Sequence, residues 1–167
     1  MRISAALAAL ALMLTGGFAA AEPVRAPLSG SPALMADAPD GWLTKRNDSD
    51  HLSDVIVGNP DRSGFITVAV VTIDGPLPAM RAMAQEVAGG QNATLQDGSE
   101  PGSIDGHAGE TFLAFQTQGA VEVHTRYVIV ALDDHHVGLV ATTWAVSDTD
   151  AQRHTLDALA ASVRVAN

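Results

Sequence analysis

Two apolar runs flank a polar tetrad: "VEVHTRYVIVAL" (121–132) and "VGLVATTW" (137–144) stand on either side of Asp133-Asp134-His135-His136. A hairpin is the natural reading. With Asp134 and His135 at its tip, Leu132 faces Val137, Val130 faces Leu139, and Val128 faces Ala141, all on one side of the ribbon. Ile129 with Val140 and Tyr127 with Thr142 then occupy the other. Both sides are apolar, so both must be covered. That constraint excludes an open sheet with one wetted face and calls for helices or long segments on each side.

The rest of the chain supplies the parts. "LSDVIVGNP" and "GFITVAVVTI" are rich in β-branched residues and read as two strands joined by an Asn59-Pro60-Asp61 turn. Before them, an extended piece reaches Asp40-Gly41, a turn signal, and restarts at Trp42. In "PLPAMRAMAQEVAGG", Met80, Met83, Ala84 and Val87 recur at helical spacing, with Pro78 near the start and Gly89-Gly90 at the end. At that spacing the methionines read as core. From Ala93 the pattern returns to strand: "ATLQDGSEPG", "HAGETFLAFQTQ", then the two hairpin runs, with Gly119 and its neighbours as a separator. "SDTDAQRHTLDALAASVRV" closes the chain as a helix, capped by Ser147 with Asp150 three residues on, and with Leu156, Leu159, Ala160 and Val163 as its buried stripe. Strands, helix, strands, helix: an α+β domain with a mainly antiparallel sheet and two principal helices.

The first residues bound the compartment. "MRISAALAALALMLTGGFAAAEP" has a cationic start, an apolar stretch too short to span a bilayer, and small residues at Ala19 and Ala21. Residues 1–21 are therefore expected to be a secretory signal peptide, and the remainder a soluble periplasmic or secreted protein with no transmembrane segment. Residues 22–33, rich in Pro, Gly and Ser, are expected as a flexible lead-in, and residues 34–167 as one domain. There is no cysteine, so the fold holds without disulfides. Nineteen acidic residues face nine basic ones, and Lys45 is the only lysine. A surface this acidic repels phosphate backbones, so nucleic acid is not an expected partner.

Candidate sites are few. Asp133, Asp134, His135 and His136 carry imidazole and carboxylate groups suited to a divalent Zn, Cu, Ni or Mn ion. Adjacent residues seldom aim at one point, so a metal there needs help from His107, His124 or His154. Without it the tetrad is the polar tip of a turn. His107 and Glu110 sit three apart on an expected strand and so point to opposite faces, whereas Glu122, His124 and Arg126 share one face at period two. No cysteine nucleophile, G-x-S-x-G elbow, P-loop, G-x-G-x-x-G or H-E-x-x-H occurs, and no catalytic residue is expected.

Three short motifs resemble those of the PsbP-like and DcrB-like domain family. They are Pro39-Asp40-Gly41-Trp42 near the start, Ile104-Asp105-Gly106-His107-Ala108 leading into a long strand, and a closing hairpin with an amphipathic helix ending in "LAASVRV". The resemblance covers roughly residues 33–165. It implies an α/β/α sandwich around an antiparallel sheet, and a non-enzymatic role as an extrinsic subunit, assembly factor or chaperone-like binder. The chain lacks the lysine-rich character of the photosynthetic members. On this reading it binds another envelope protein, with Trp42 and Trp144 as candidate partner contacts, because aromatic residues near element ends often anchor interfaces. Packing into the core is the other role open to both indoles.

Overall fold

A computed structural model describes residues 23–49, 51–61 and 63–166. The expected signal peptide, residues 1–21, lies outside the described residues. In chain order the elements are β1 (Val24–Ala26), β2 (Ala33–Ala36), β3 (Leu43–Asp48), β4 (Leu52–Gly58), β5 (Gly64–Thr72), α1 (Met80–Gly90), β6 (Thr94–Leu95), β7 (Glu100–Ile104), β8 (His107–Gln118), β9 (Val121–Ala131), β10 (His136–Ala145), α2 (Asp150–Ala161) and β11 (Arg164–Ala166). Eight strands form one sheet in the order β3-β4-β5-β10-β9-β8-β6, with β7 also paired to β8. A second sheet runs β1-β2-β11. Every pairing is antiparallel. Over the described residues the protein is α+β, mostly antiparallel sheet with two helices. Among the described residues no helix is long and apolar enough to cross a membrane.

Strand alternation divides the buried side chains into two clusters. On one side Ala69, Val71, Tyr127, Ile129, Val137 and Leu139 meet Met83, Ala84, Val87 and Ala88 of α1. On the other, Val55, Val57, Ile66, Val68, Val130 and Val140 meet Leu156 and Leu159 of α2 together with Val24, Ala26 and Leu34 of the small sheet. The expectation that the hairpin buries both faces holds.

Its expected register does not. Val137 pairs with Ala131, Leu139 with Ile129, and Ala141 with Tyr127, one residue away from the symmetrical pairing. Val130 and Val128 thus lie on the α2 side, away from Leu139. The cause is the turn. The Asp133 carboxylate accepts the N–H groups of both His135 and His136, at 2.7 and 2.8 Å, and Leu132 donates to the carbonyl of His136. That local bonding encloses three residues rather than two.

Three other boundaries differ from expectation. Residues 22–33, expected as a flexible lead-in, contribute β1, whose Val24 and Ala26 are buried and whose partner is β2. The N-cap of α2 is Thr149, not Ser147. Its hydroxyl accepts from the Gln152 N–H while the Gln152 side chain accepts from the Thr149 N–H, a reciprocal capping box. Asp148 is drawn off instead to accept from Ala145 N–H. The expected helix through residue 165 ends at Ala161, where the Ser162 hydroxyl donates to the Leu159 carbonyl. Arg164–Ala166 then leaves as β11 and pairs with β2, and Arg164 grips Asp37 through two nitrogens at 2.9 and 3.0 Å.

Asp54 is the anomaly of the core. It is 2% exposed on β4, and its Oδ1 accepts from Asn47 Nδ2 at 3.1 Å. Its Oδ2 has no hydrogen-bond partner among the described residues. Burial pushes its carboxyl above the usual range against the opposing Asn47 hydrogen bond. A native carboxyl that holds its proton more tightly than the unfolded one favours the fold in acid and loses that contribution as pH rises through its folded value. Asp54→Asn is therefore expected to gain about 1 kcal/mol over the parent at pH 7. The gain should vanish in urea melts near pH 3.

Candidate functional site

Where α2 crosses the sheet, its exposed polar side borders β9 and β10. Asp150, Arg153, His154 and Asp157 fall at i, i+3, i+4 and i+7 and so share one stripe. Opposite them stand Arg126 of β9 and Thr142 and Trp144 of β10, with Leu156 beside them. Together these residues line a pocket of about 360 Å³. Arg126 donates to Asp157 Oδ1 and Arg153 to Asp150 Oδ1. Two ion pairs and an indole thus share one lining.

The indole belongs to a row of rings. Trp144 pairs with His124 across the strands, and His124 with Phe115. The centroids of Phe115 and His124 lie 5.2 Å apart and those of His124 and Trp144 5.8 Å apart, both edge-to-face. Such contacts fix ring orientation and are worth about 0.5–1.5 kcal/mol each beyond their area. His124 Nε2 meets Glu122 Oε1 at 2.9 Å. All three rings are half-buried, as is Leu113 on the same face, and the exposed Val146 continues the surface beyond Glu122.

The other sequence-derived candidates are dispersed. Trp42 is half-buried, packs on the α2-side cluster and is held by a turn in which its N–H donates to Pro39 O. Trp144 packs on the same cluster but also opens on the pocket. In the 133–136 turn, Asp133 and His136 meet, with His136 Nδ1 2.9 Å from each carboxylate oxygen. Desolvation at Asp133 is outweighed by the His135 and His136 hydrogen bonds, which hold its carboxyl below the usual range. Among the described residues, neither Asp134 nor the ring of His135 hydrogen-bonds to that pair. Among the described residues no three His, Cys, Asp or Glu side chains are grouped to hold one ion. His107 and Glu110 both lie on β8, where Glu110 accepts from Ser99 Oγ at 2.7 Å. Of the expected row Glu122, His124 and Arg126, only Arg126 lines the pocket.

No protein-family model matches the chain, and no curated protein sequence matches it. Among solved structures it is similar to cyanobacterial PsbP (CyanoP) from Synechocystis sp. PCC 6803, with a TM-score of 0.60 at 16% identity over 93% of this chain and 99% of that one. The fold is PsbP-like. It is similar as well to LpqN of Mycobacterium tuberculosis, a protein involved in cell envelope biogenesis, with a TM-score of 0.50 at 14% identity over 87% and 90% of the two chains. A protein from Bacteroides thetaiotaomicron VPI-5482 aligns with a TM-score of 0.54 at 11% identity, over 80% of this chain. The chain spans 45% of that protein's length.

Proposed function

We propose that this chain is an exported, non-catalytic accessory domain that acts in the cell envelope by binding another envelope protein. The observation that carries the reading is the likeness, over nearly the full length of both chains, to CyanoP and to an envelope-biogenesis protein. The arrangement of the two core clusters supports the finer architecture, an α/β/α sandwich with α1 on one face and α2 with the small sheet on the other. The contact surface in this proposal is the half-buried row Phe115, His124 and Trp144, where an aromatic anchor would gain most on desolvation.

The test is a photoreactive phenylalanine analogue placed at Phe115, with the same analogue at Lys45 on the edge strand β3 as control. A discrete adduct with one envelope protein from position 115 alone is the expected result. Adducts from 45 alone would move the surface, and adducts from neither position would sink the accessory role. Export is tested separately by fusing residues 1–21 to a reporter active only outside the cytoplasm.

A divalent ion at the Asp133–His136 turn is the alternative, and the juxtaposed Asp133 carboxylate and His136 imidazole support it. It predicts a saturable rise in thermal midpoint with Zn, Cu, Ni or Mn that His135→Ala/His136→Ala abolishes. An equal shift in both proteins would remove the alternative.

A further inference from the structure

The charge pattern of the α2 pocket selects among ligands. Each arginine in it uses one nitrogen on its aspartate, Arg126 on Asp157 and Arg153 on Asp150. A guanidinium carries five N–H donors, so most remain available, and each aspartate keeps a second oxygen. The apolar part of the lining is Trp144 and Leu156. His124 holds the indole edge-to-face at 5.8 Å, so its orientation is set before a ligand arrives.

A simple anion entering here gains the arginines but meets two carboxylates, and a simple cation has the opposite difficulty. A ligand carrying both charges a few bonds apart is matched on each side. We propose that this pocket binds a free zwitterionic α-amino acid with an apolar or aromatic side chain. The carboxylate lies against Arg126 or Arg153, the ammonium against the paired aspartate, and the side chain against Trp144 and Leu156. At about 360 Å³ the cavity is near the small end of ligand pockets, roughly 300–1,000 Å³, which suits a molecule of this size. The ion pairs are open to water, with Arg126 36%, Asp157 47%, Arg153 48% and Asp150 88% exposed, so binding is modest, with Kd on the order of 0.1–1 mM.

This ligand goes beyond the docking role proposed above and does not depend on it. The purified full chain, labelled with ¹⁵N, has two tryptophans and so two indole N–H resonances, with Trp144→Phe assigning them. L-Phenylalanine is titrated in, and phenethylamine and 3-phenylpropionate serve as its cation-only and anion-only halves. The expected result is a saturable shift of Trp144 while Trp42 stays fixed, with either half-ligand at least about tenfold weaker. Arg126→Gln and Asp157→Asn should each weaken L-phenylalanine by about tenfold with the Trp42 resonance unchanged, which reports an intact fold. No saturable shift at Trp144, equal binding of a half-ligand, or parallel drift of both indoles would overturn the proposal. A missing protein partner would leave this titration unaltered.

Discussion

Gly109→Ala is expected to destabilise the protein by about 3 kcal/mol or more in urea unfolding followed by circular dichroism. Gly109 lies in β8 between Gly102 of β7 and Val130 of β9. A Cβ there would run into the Ile129 carbonyl oxygen and stand 2.9 Å from both the Ile129 carbonyl carbon and Val130 Cγ1. The obstacle is backbone, not the end of a flexible side chain. It cannot easily retreat, because β9 is paired along its length to β8 on one side and β10 on the other. The only relief is to part the strands and lose ladder hydrogen bonds. Gly89→Ala is the matched control. It lies within α1, a Cβ there meets open space, and the change should stabilise by a few tenths of a kcal/mol up to about 1 kcal/mol. Equal effects at the two positions would show that β8 and β9 adjust to one another freely.

That close approach was hidden in the sequence, where Gly109 is only one residue of a strand-like run. What was legible followed from patterns that one sequence can carry. β-branched runs marked β4, β5, β9 and β10, and the Met83, Ala84, Val87 stripe marked α1. The two-sided hairpin forced cover on both faces, and two core clusters formed. The register was not legible for the same reason: a one-residue slip is penalised only when one face is polar, and here both are apolar. The Asp133 side chain made the choice through hydrogen bonds that no periodicity reveals. β1 was concealed by the prolines and glycines that follow it, and β11 by a helix pattern running on through "LAASVRV".

The pocket was half legible. Trp144 and Arg126 stood out as an aromatic at a strand end and a charge in a period-two row. Asp150, Arg153, His154 and Asp157 had the spacing of a helix face, but a polar stripe on a helix is ordinarily solvated. The placement of α2 sets that stripe, still exposed, beside Arg126 of β9 and Trp144 of β10. The separation matters for function. The residues that make the fold are apolar and periodic, while those at the candidate site are polar and gain meaning only from what lies opposite.

Tyr127 joins the two kinds of residue in one side chain. It is 0% exposed and is among the largest fully buried side chains, and its hydroxyl donates to Gln91 Oε1, just past the end of α1, at 2.8 Å. Tyr127→Ala should cost about 3–5 kcal/mol, since the ring leaves a cavity between α1 and the sheet. Tyr127→Phe keeps the ring and loses one hydrogen bond, and should cost about 1 kcal/mol. Burial, partly opposed by Thr125, pushes the Tyr127 phenol up to about 12 from 10.0. The neutral phenol therefore supports the fold fully below pH 10 and progressively less as pH rises toward 12. Tyr127→Phe has no such group, so its deficit against the parent should shrink through that interval. If the deficit stays constant, the phenol ionises alike in both states and the side chain is not sealed beneath α1. If it shrinks while Tyr127→Ala collapses the fold, the same ring both fills the core and ties the helix end to the sheet.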